Sequence, residues 1–379
     1  GTMRFTPTRS FAEISRGHAT DLAVSPPPNQ GSNTVVRIGD RLFFKVYRKL
    51  NPGLNPELEI GRFLTEVARF RHIVPLAGSV EYLANNGDSC TVALLQAFVL
   101  SQGDGWEHTV DHLLRSLQDR QLDDLPLEER HGAYLELVRM LGTRTAELHC
   151  ALAHPTDDPA FSAEPITPVD LAAWRGRVQQ DAGDTLELLA TRSSGLPESA
   201  RADAAELLKR SSALLDRITA RSPAAMQGIR IRHHGDYHLG QVLVRRNDFV
   251  IVDFEGEPAR PLAERRQKHS PLRDVAGMLR SFSYAAQAAH RRMVPAEAGD
   301  EQARLNLLLG EWEQATRDTF LRVYDGIARA GGLYESWDEA RQLIALFEIE
   351  KALYEIRYEL GNRPAWVSVP IHGLLSLTS

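Results

Sequence analysis

The stretch His233–Pro258, HHGDYHLGQVLVRRNDFVIVDFEGEP, decides how this chain is read. It opens with a polar loop that carries Asp236. Gln241 comes five positions later, and two short apolar runs then lead to Asp253. A Gly-Asp pair alone would be a turn in which Asp236 caps its own backbone. The spacing to Gln241 and Asp253 argues instead for chemistry: a carboxylate to orient an attacking hydroxyl, followed by two oxygen donors for a divalent cation. The side-chain oxygen of Gln241 suits Mg2+, a hard cation, although a polar residue at a strand start is the plain alternative. Asp253 ends the apolar run Val250–Val252, where a buried carboxylate needs a cation or an arginine as its partner. Glu255 shares its face if the chain stays extended and is a second metal candidate; a solvated Glu beside Gly256 reads equally well.

Upstream, Lys45 interrupts the apolar run Phe43–Val46. A lysine on a buried strand wants a partner, and phosphotransferases hold such a lysine on the α- and β-phosphates with a helix glutamate. The helix opened by Pro56 offers Glu59 as the expected partner and Glu57 as its rival. Ser32 and Asn33, just before the first strand of this region, are expected to cover the phosphates of ATP. Gln96–Leu100, including Val99, is the expected adenine-facing hinge.

Around these residues the chain divides by pattern. Residues 1–30 read as a linker-like lead-in. Residues 31–100 read as a small β-rich lobe, with strands over 34–38, 41–47, 74–83 and 91–98 and one inserted helix over 56–68. Residues 101–379 read as a helical lobe that carries the acidic hairpin, with helices expected over 110–121, 127–153, 170–190, 200–221, 272–291, 302–330 and 338–360. The expected class is therefore α+β: a bilobal, protein-kinase-like fold with a cleft between the lobes.

Composition narrows the function. The 379 residues carry 44 basic and 50 acidic side chains, a net charge of −6, which argues against a nucleic-acid partner. Two cysteines exclude a disulfide framework and favour a reducing compartment, hence the cytoplasm. The longest apolar run, 92–100, is too short to cross a membrane.

Several segments resemble the bacterial maltokinases, above all the maltokinase part of trehalose synthase–maltokinase fusion proteins. They are HGDYHLGQVL, DFEGEP, SPLRDVAGMLRSFSYAA, GSNTVVRIGDRLFFKVYRKLNPGLNPELEIGRFL and EKALYEIRYELGNRPAWVSVPIHGLL. The family resembles aminoglycoside phosphotransferases. The resemblance implies phosphorylation of maltose at its reducing-end C1 hydroxyl, using ATP and Mg2+. In that reading Asp236 is the base, Gln241 and Asp253 are metal ligands, Lys45 is the phosphate lysine, and a linked trehalose synthase is a partner. It also implies an N-terminal cap subdomain, which the lead-in of about thirty residues would represent only in truncated form. Tyr354, Glu355, Tyr358, Glu359 and Trp366, flanked by Asn362 and Arg363, are the expected sugar contacts, with His234 beside the base. The plain alternative makes the tyrosines core and Lys351–Glu355 a surface pair. Asp274 is expected to pair with an arginine and hold the active loop. Competing functions are a glucosamine, other sugar or antibiotic kinase, and a non-catalytic pseudokinase domain.

Overall fold

The structure, a computed structural model, describes residues 1–15, 23–26, 33–293 and 299–377. Six antiparallel strands build the smaller lobe: β1 (Thr2–Pro7), β2 (Val24–Ser25), β3 (Thr34–Ile38), β4 (Leu42–Val46), β5 (Leu76–Leu83) and β6 (Ser89–Ala97). Their order is β1-β5-β6-β4-β3-β2. The lead-in was expected to be linker-like. Its described residues instead supply both sheet edges, with Thr2 opposite Leu83 and Val24 opposite Ile38. A short helix, α1 (Phe11–Ile14), lies between those edge strands in sequence.

Helix α2 (Pro56–Arg62) starts where its sequence says it should. Asn55 caps it by accepting from the Glu57 N–H, and Pro56 occupies the first turn, where a missing N–H costs nothing. The helix runs on as a π-helical turn, Phe63–Val67. Leu58 is buried beside Tyr47, Leu76 and Leu94 in a small core under the sheet.

Past the link at 98–104, helices dominate. They are α3 (Gly105–Gln118), α4 (Leu127–Leu152), α5 (Pro168–Arg192), α6 (Glu198–Lys209), α7 (Ser211–Ala220), α8 (Leu262–Arg265), α9 (Leu272–Met293), α10 (Gly299–Ala330), α11 (Trp337–Asn362) and α12 (Ser368–Leu377). The single helix expected over 200–221 is two, divided at Arg210. Trp312, Phe320 and Tyr324 of α10 and Phe282 of α9 lie in one continuous core that spans this lobe. No described helix is long and apolar enough to cross a membrane.

Two small ladders interrupt the helices. Strand β7 (Glu164–Pro165) pairs with β8 (Ile229–Arg230), the strand that leads into the loop of Asp236. The acidic hairpin is β9 (Val242–Arg245) with β10 (Asp248–Ile251), in register Asp248 opposite Arg245. Its two turn residues, Arg246 and Asn247, both have positive φ, 50° and 60°, the geometry that suits the right-handed twist of a two-residue hairpin. Ile251 bridges to Ile73 of the small lobe and Leu243 to Asp104 at the start of α3, so the hairpin lies at the seam between the lobes.

Helix α9 presses directly on the loop that carries Asp236. A Cβ on Gly277 would lie 2.6 Å from the Tyr237 carbonyl oxygen, closer than real Cβ atoms come to a neighbour. Gly277→Ala is therefore expected to lower stability by about 1–3 kcal/mol through overpacking. In urea unfolding, the midpoint should fall while the slope stays unchanged.

Candidate active site

Three carboxylates converge on the Lys45 ammonium. Its distances are 2.7 Å to Glu57 Oε2, 2.7 Å to Asp253 Oδ1 and 2.6 Å to Glu255 Oε1. Strand β4 turns Lys45 toward α2, whose first turn presents Glu57. That carboxylate also accepts from Tyr47 Oη at 2.7 Å and Gln96 Nε2 at 3.2 Å. Burial by itself would lower the Lys45 pKa; the three carboxylates outweigh it and hold the ammonium above its ordinary value. The expected partner, Glu59, is thereby corrected. It faces the other way and is gripped by Arg232 Nη1 at 2.7 Å and by Arg266 at 3.0 and 2.9 Å.

Asp253 holds a left-handed backbone, φ 66°, which is costly for a residue with a Cβ and marks a position fixed by its surroundings. Burial opposes its ionisation, yet the Lys45 ammonium brings its carboxyl below the ordinary range. Glu255 moves the other way, pushed up by burial with Glu57 and Asp253 close by. Gln241 Nε2 donates to Asp253 Oδ2 at 3.2 Å, and Asn33 Nδ2 donates to Glu255 Oε1 at 2.8 Å. One ammonium among three carboxylates leaves an excess of negative charge built from hard oxygen donors, a set that fits a divalent cation such as Mg2+. Ser32 lies outside the described residues.

The same cluster closes one end of a cavity of about 430 Å3 between the lobes. Val35, Phe43, Val74, Leu243 and Val252 give it apolar walls, and the 96–99 segment with Gln96 and Val99 borders it. Size and lining suit a nucleotide base and ribose.

Asp236 is held by its loop. Asp274, at the start of α9, accepts the backbone N–H of His234 at 2.7 Å and of Gly235 at 2.9 Å. Gly235 has φ 82°, which glycine adopts without strain. Asp274 meets His149 Nε2 at 3.3 Å rather than the expected arginine. Burial works against the Asp274 charge, but these donors and the neighbouring histidines hold its carboxyl well below the usual range. His234, expected to touch sugar, is buried and does not line the cavity beyond Asp236; its Nε2 is bonded to the Val252 carbonyl at 2.8 Å, so it ties the Asp236 loop to the strand that leads to Asp253.

Beyond Asp236 opens a second cavity of about 780 Å3, walled by Tyr354, Glu355, Tyr358, Glu359 and Trp366, with His238 at its edge. The structure brings these five expected contacts together, but both glutamates are already engaged. Glu355 accepts from Arg280 at 3.1 and 2.8 Å, and Glu359 from Arg363 at 3.0 and 2.6 Å. Sequence reasoning missed Lys351, whose Nζ donates to Asp236 Oδ1 at 3.1 Å and lies 4.8 Å from the Tyr354 ring. Burial raises the Asp236 pKa; Lys351, then His238, reverse this and take it below the ordinary value.

No protein-family model matches the chain. It is 26% identical over 372 residues to a glucosamine kinase of Mycolicibacterium smegmatis, covering 97% of this chain and 83% of that protein. It is 25% identical over 295 residues to a glucosamine kinase of Streptacidiphilus jiangxiensis, covering 78% of this chain and 59% of the relative. A solved glucosamine kinase in complex with glucosamine, ADP and inorganic phosphate aligns with a TM-score of 0.71 at 22% identity, over 98% of this chain and 83% of that one. The fold is the bilobal, kinase-like fold. The expected α+β class is the observed one.

The two glutamates of α2 should separate in experiment. Glu57→Gln is expected to weaken Mg-ATP binding at least about tenfold, because Lys45 loses a charged partner. Glu59→Gln strands the buried Arg232 and should lower stability by about 3–5 kcal/mol. Nucleotide titration and thermal unfolding of both variants check the split; identical profiles would contradict it.

Proposed function

We propose that the protein is an ATP-dependent kinase of a sugar hydroxyl. One observation carries this reading: Lys45, Gln241 and Asp253 meet at the end of a nucleotide-sized cavity, and Asp236 lies on the wall of a separate, aromatic-lined one. Phosphoryl transfer asks the protein mainly for positioning and charge.

Each residue then has a task. The Asp236 carboxylate, kept ionised by Lys351, accepts the hydrogen bond of the acceptor hydroxyl and aims its oxygen at the γ-phosphoryl group. Lys45, held by Glu57, donates to phosphate oxygens. The apolar walls take the adenine, and the hinge backbone bonds its edge. Asp253 and Gln241, with Glu255 beside them, would hold the Mg2+, which when bound neutralises charge on the phosphates. Closure of the cavity excludes water, so that the sugar competes for the phosphoryl group without hydrolysis.

The acceptor is a finer question. The relatives are glucosamine kinases, which puts an aminosugar first. Maltose, implied by the sequence resemblance, is the second reading, and with it goes the linked trehalose synthase. One observation favours it: Asp236, Glu355 and Glu359 are each occupied by a cation, so the cavity presents engaged carboxylates and aromatic faces that suit a neutral sugar. The same neutralisation argues against polycationic antibiotics.

Asp236→Asn is expected to cut turnover by about 10²–10⁴-fold while Mg-ATP binding stays close to wild type. Wild-type turnover in that variant would remove Asp236 from the base role. Asp253→Ala is expected to abolish the stabilisation that Mg-ATP gives in thermal unfolding; an unchanged shift would take it out of the metal site. ADP release with glucosamine, maltose and kanamycin in parallel ranks the acceptors. Release with none of the three would overturn the sugar-kinase reading.

A further inference from the structure

Lys351 is the member of the acceptor cavity that lies directly against Asp236, and neither the metal nor the nucleotide explains it. It comes from the middle of α11, a helix with its other charges already matched at this site, and it lines the cavity with Tyr354 and His238. An ammonium carries three donors. One goes to Asp236 Oδ1 at 3.1 Å, its sole hydrogen-bond partner among the described residues. The Tyr354 ring covers one side at 4.8 Å. Two donors are left for whatever fills the cavity.

The geometry constrains that occupant. An acceptor hydroxyl must approach Asp236 to within about 2.6–3.2 Å. Since Nζ touches the same carboxylate, the next ring substituent of a sugar seated there falls within its reach. An oxygen at that position accepts a charge-assisted hydrogen bond. An ammonium there meets another cation at close range.

We propose that Lys351 is a specificity-determining residue of the acceptor site: it requires an oxygen on the carbon beside the reacting hydroxyl and rejects acceptors with an ammonium there. This rests on the sugar-kinase reading with Asp236 as base, and it holds for either acceptor. If glucosamine is the substrate, its phosphate goes to a hydroxyl remote from the amino-bearing carbon. If maltose is the substrate, Lys351 bonds the oxygen next to the reacting one.

The test compares glucosamine with glucose and maltose in the wild type, Lys351→Met and Lys351→Arg. It reads kcat/KM and, by phosphorus–proton correlation NMR, the position of the phosphate. In the wild type, glucosamine should either fail beside a neutral sugar that reacts or be phosphorylated away from C1 and C3. In Lys351→Met, the ratio of kcat/KM for phosphorylation of glucosamine at C1 or C3 over that of the best neutral sugar should rise at least about tenfold above the wild-type limit, and in Lys351→Arg it should stay near the wild-type value. A wild-type phosphate on C1 or C3 of glucosamine overturns the assignment, as does an unmoved ratio in Lys351→Met. The thermal shift given by Mg-ATP reports whether each variant is folded. Should Lys351→Met not fold, the wild-type regiochemistry and the Lys351→Arg ratio still decide. A wild type that phosphorylates none of these sugars overturns the parent reading and this one with it; turnover with the ratio unmoved overturns only the role of Lys351.

Discussion

The active cleft is organised by a single ammonium held among three carboxylates. Lys45 and Glu57 belong to the small lobe, while Asp253 and Glu255 follow the hairpin of the large one. The cluster is therefore also a joint between lobes. It is stable because each buried charge has partners, and removing one partner of a buried pair costs about 3–5 kcal/mol. Its excess negative charge is what a divalent cation and a polyphosphate together can balance. Binding capacity and lobe orientation rest on the same few atoms.

The acceptor side follows a different rule. Its carboxylates come from α11 and the loop of Asp236, and each is neutralised locally: Glu355 by Arg280, Glu359 by Arg363 and Asp236 by Lys351. The loop beneath is fixed by backbone N–H bonds to the buried Asp274 and by His234 reaching the Val252 carbonyl. These are short-range constraints on rigid elements, so the loop of Asp236 is held in place by the protein alone.

How much of this was legible in the sequence depends on the range of each interaction. The four inner strands of the sheet, the acidic hairpin and the long helices came from local periodicity and appear close to where the pattern put them, except that the helix expected over 200–221 is two. The short α12 did not, because Pro370 and Gly373 hide a helix that is stabilised by packing on α11 and α6. The choice between Glu57 and Glu59 could not be made locally. Residues two apart on a helix point about 200° apart, and the docking of α2 on the sheet decides which one meets Lys45. Lys351 had a satisfactory local partner in Glu355 at i+4, whereas its real one, Asp236, is 115 residues away in sequence. Of the two edge strands of the lead-in, where at most one short strand was expected, β1 pairs with the distant β5 and β2 is only two residues long, so neither leaves a local pattern.

Helix α2 has a consequence beyond holding a lysine. Glu57 holds Lys45 at one end of the cleft, while Glu59 holds Arg232, which leads directly into the loop of Asp236. Phe63, one turn on, stacks on Phe161 with ring centroids 3.9 Å apart, and Arg232 lies over that same ring at 5.3 Å. The helix thus works as a short lever with a firm grip at both ends. Any ligand that tightens one end and biases the pose of the lever must favour the other to the same degree, because linkage between two sites is reciprocal. Ligands of the two cavities would then each sharpen the affinity of the other through the frame as well as through direct contact.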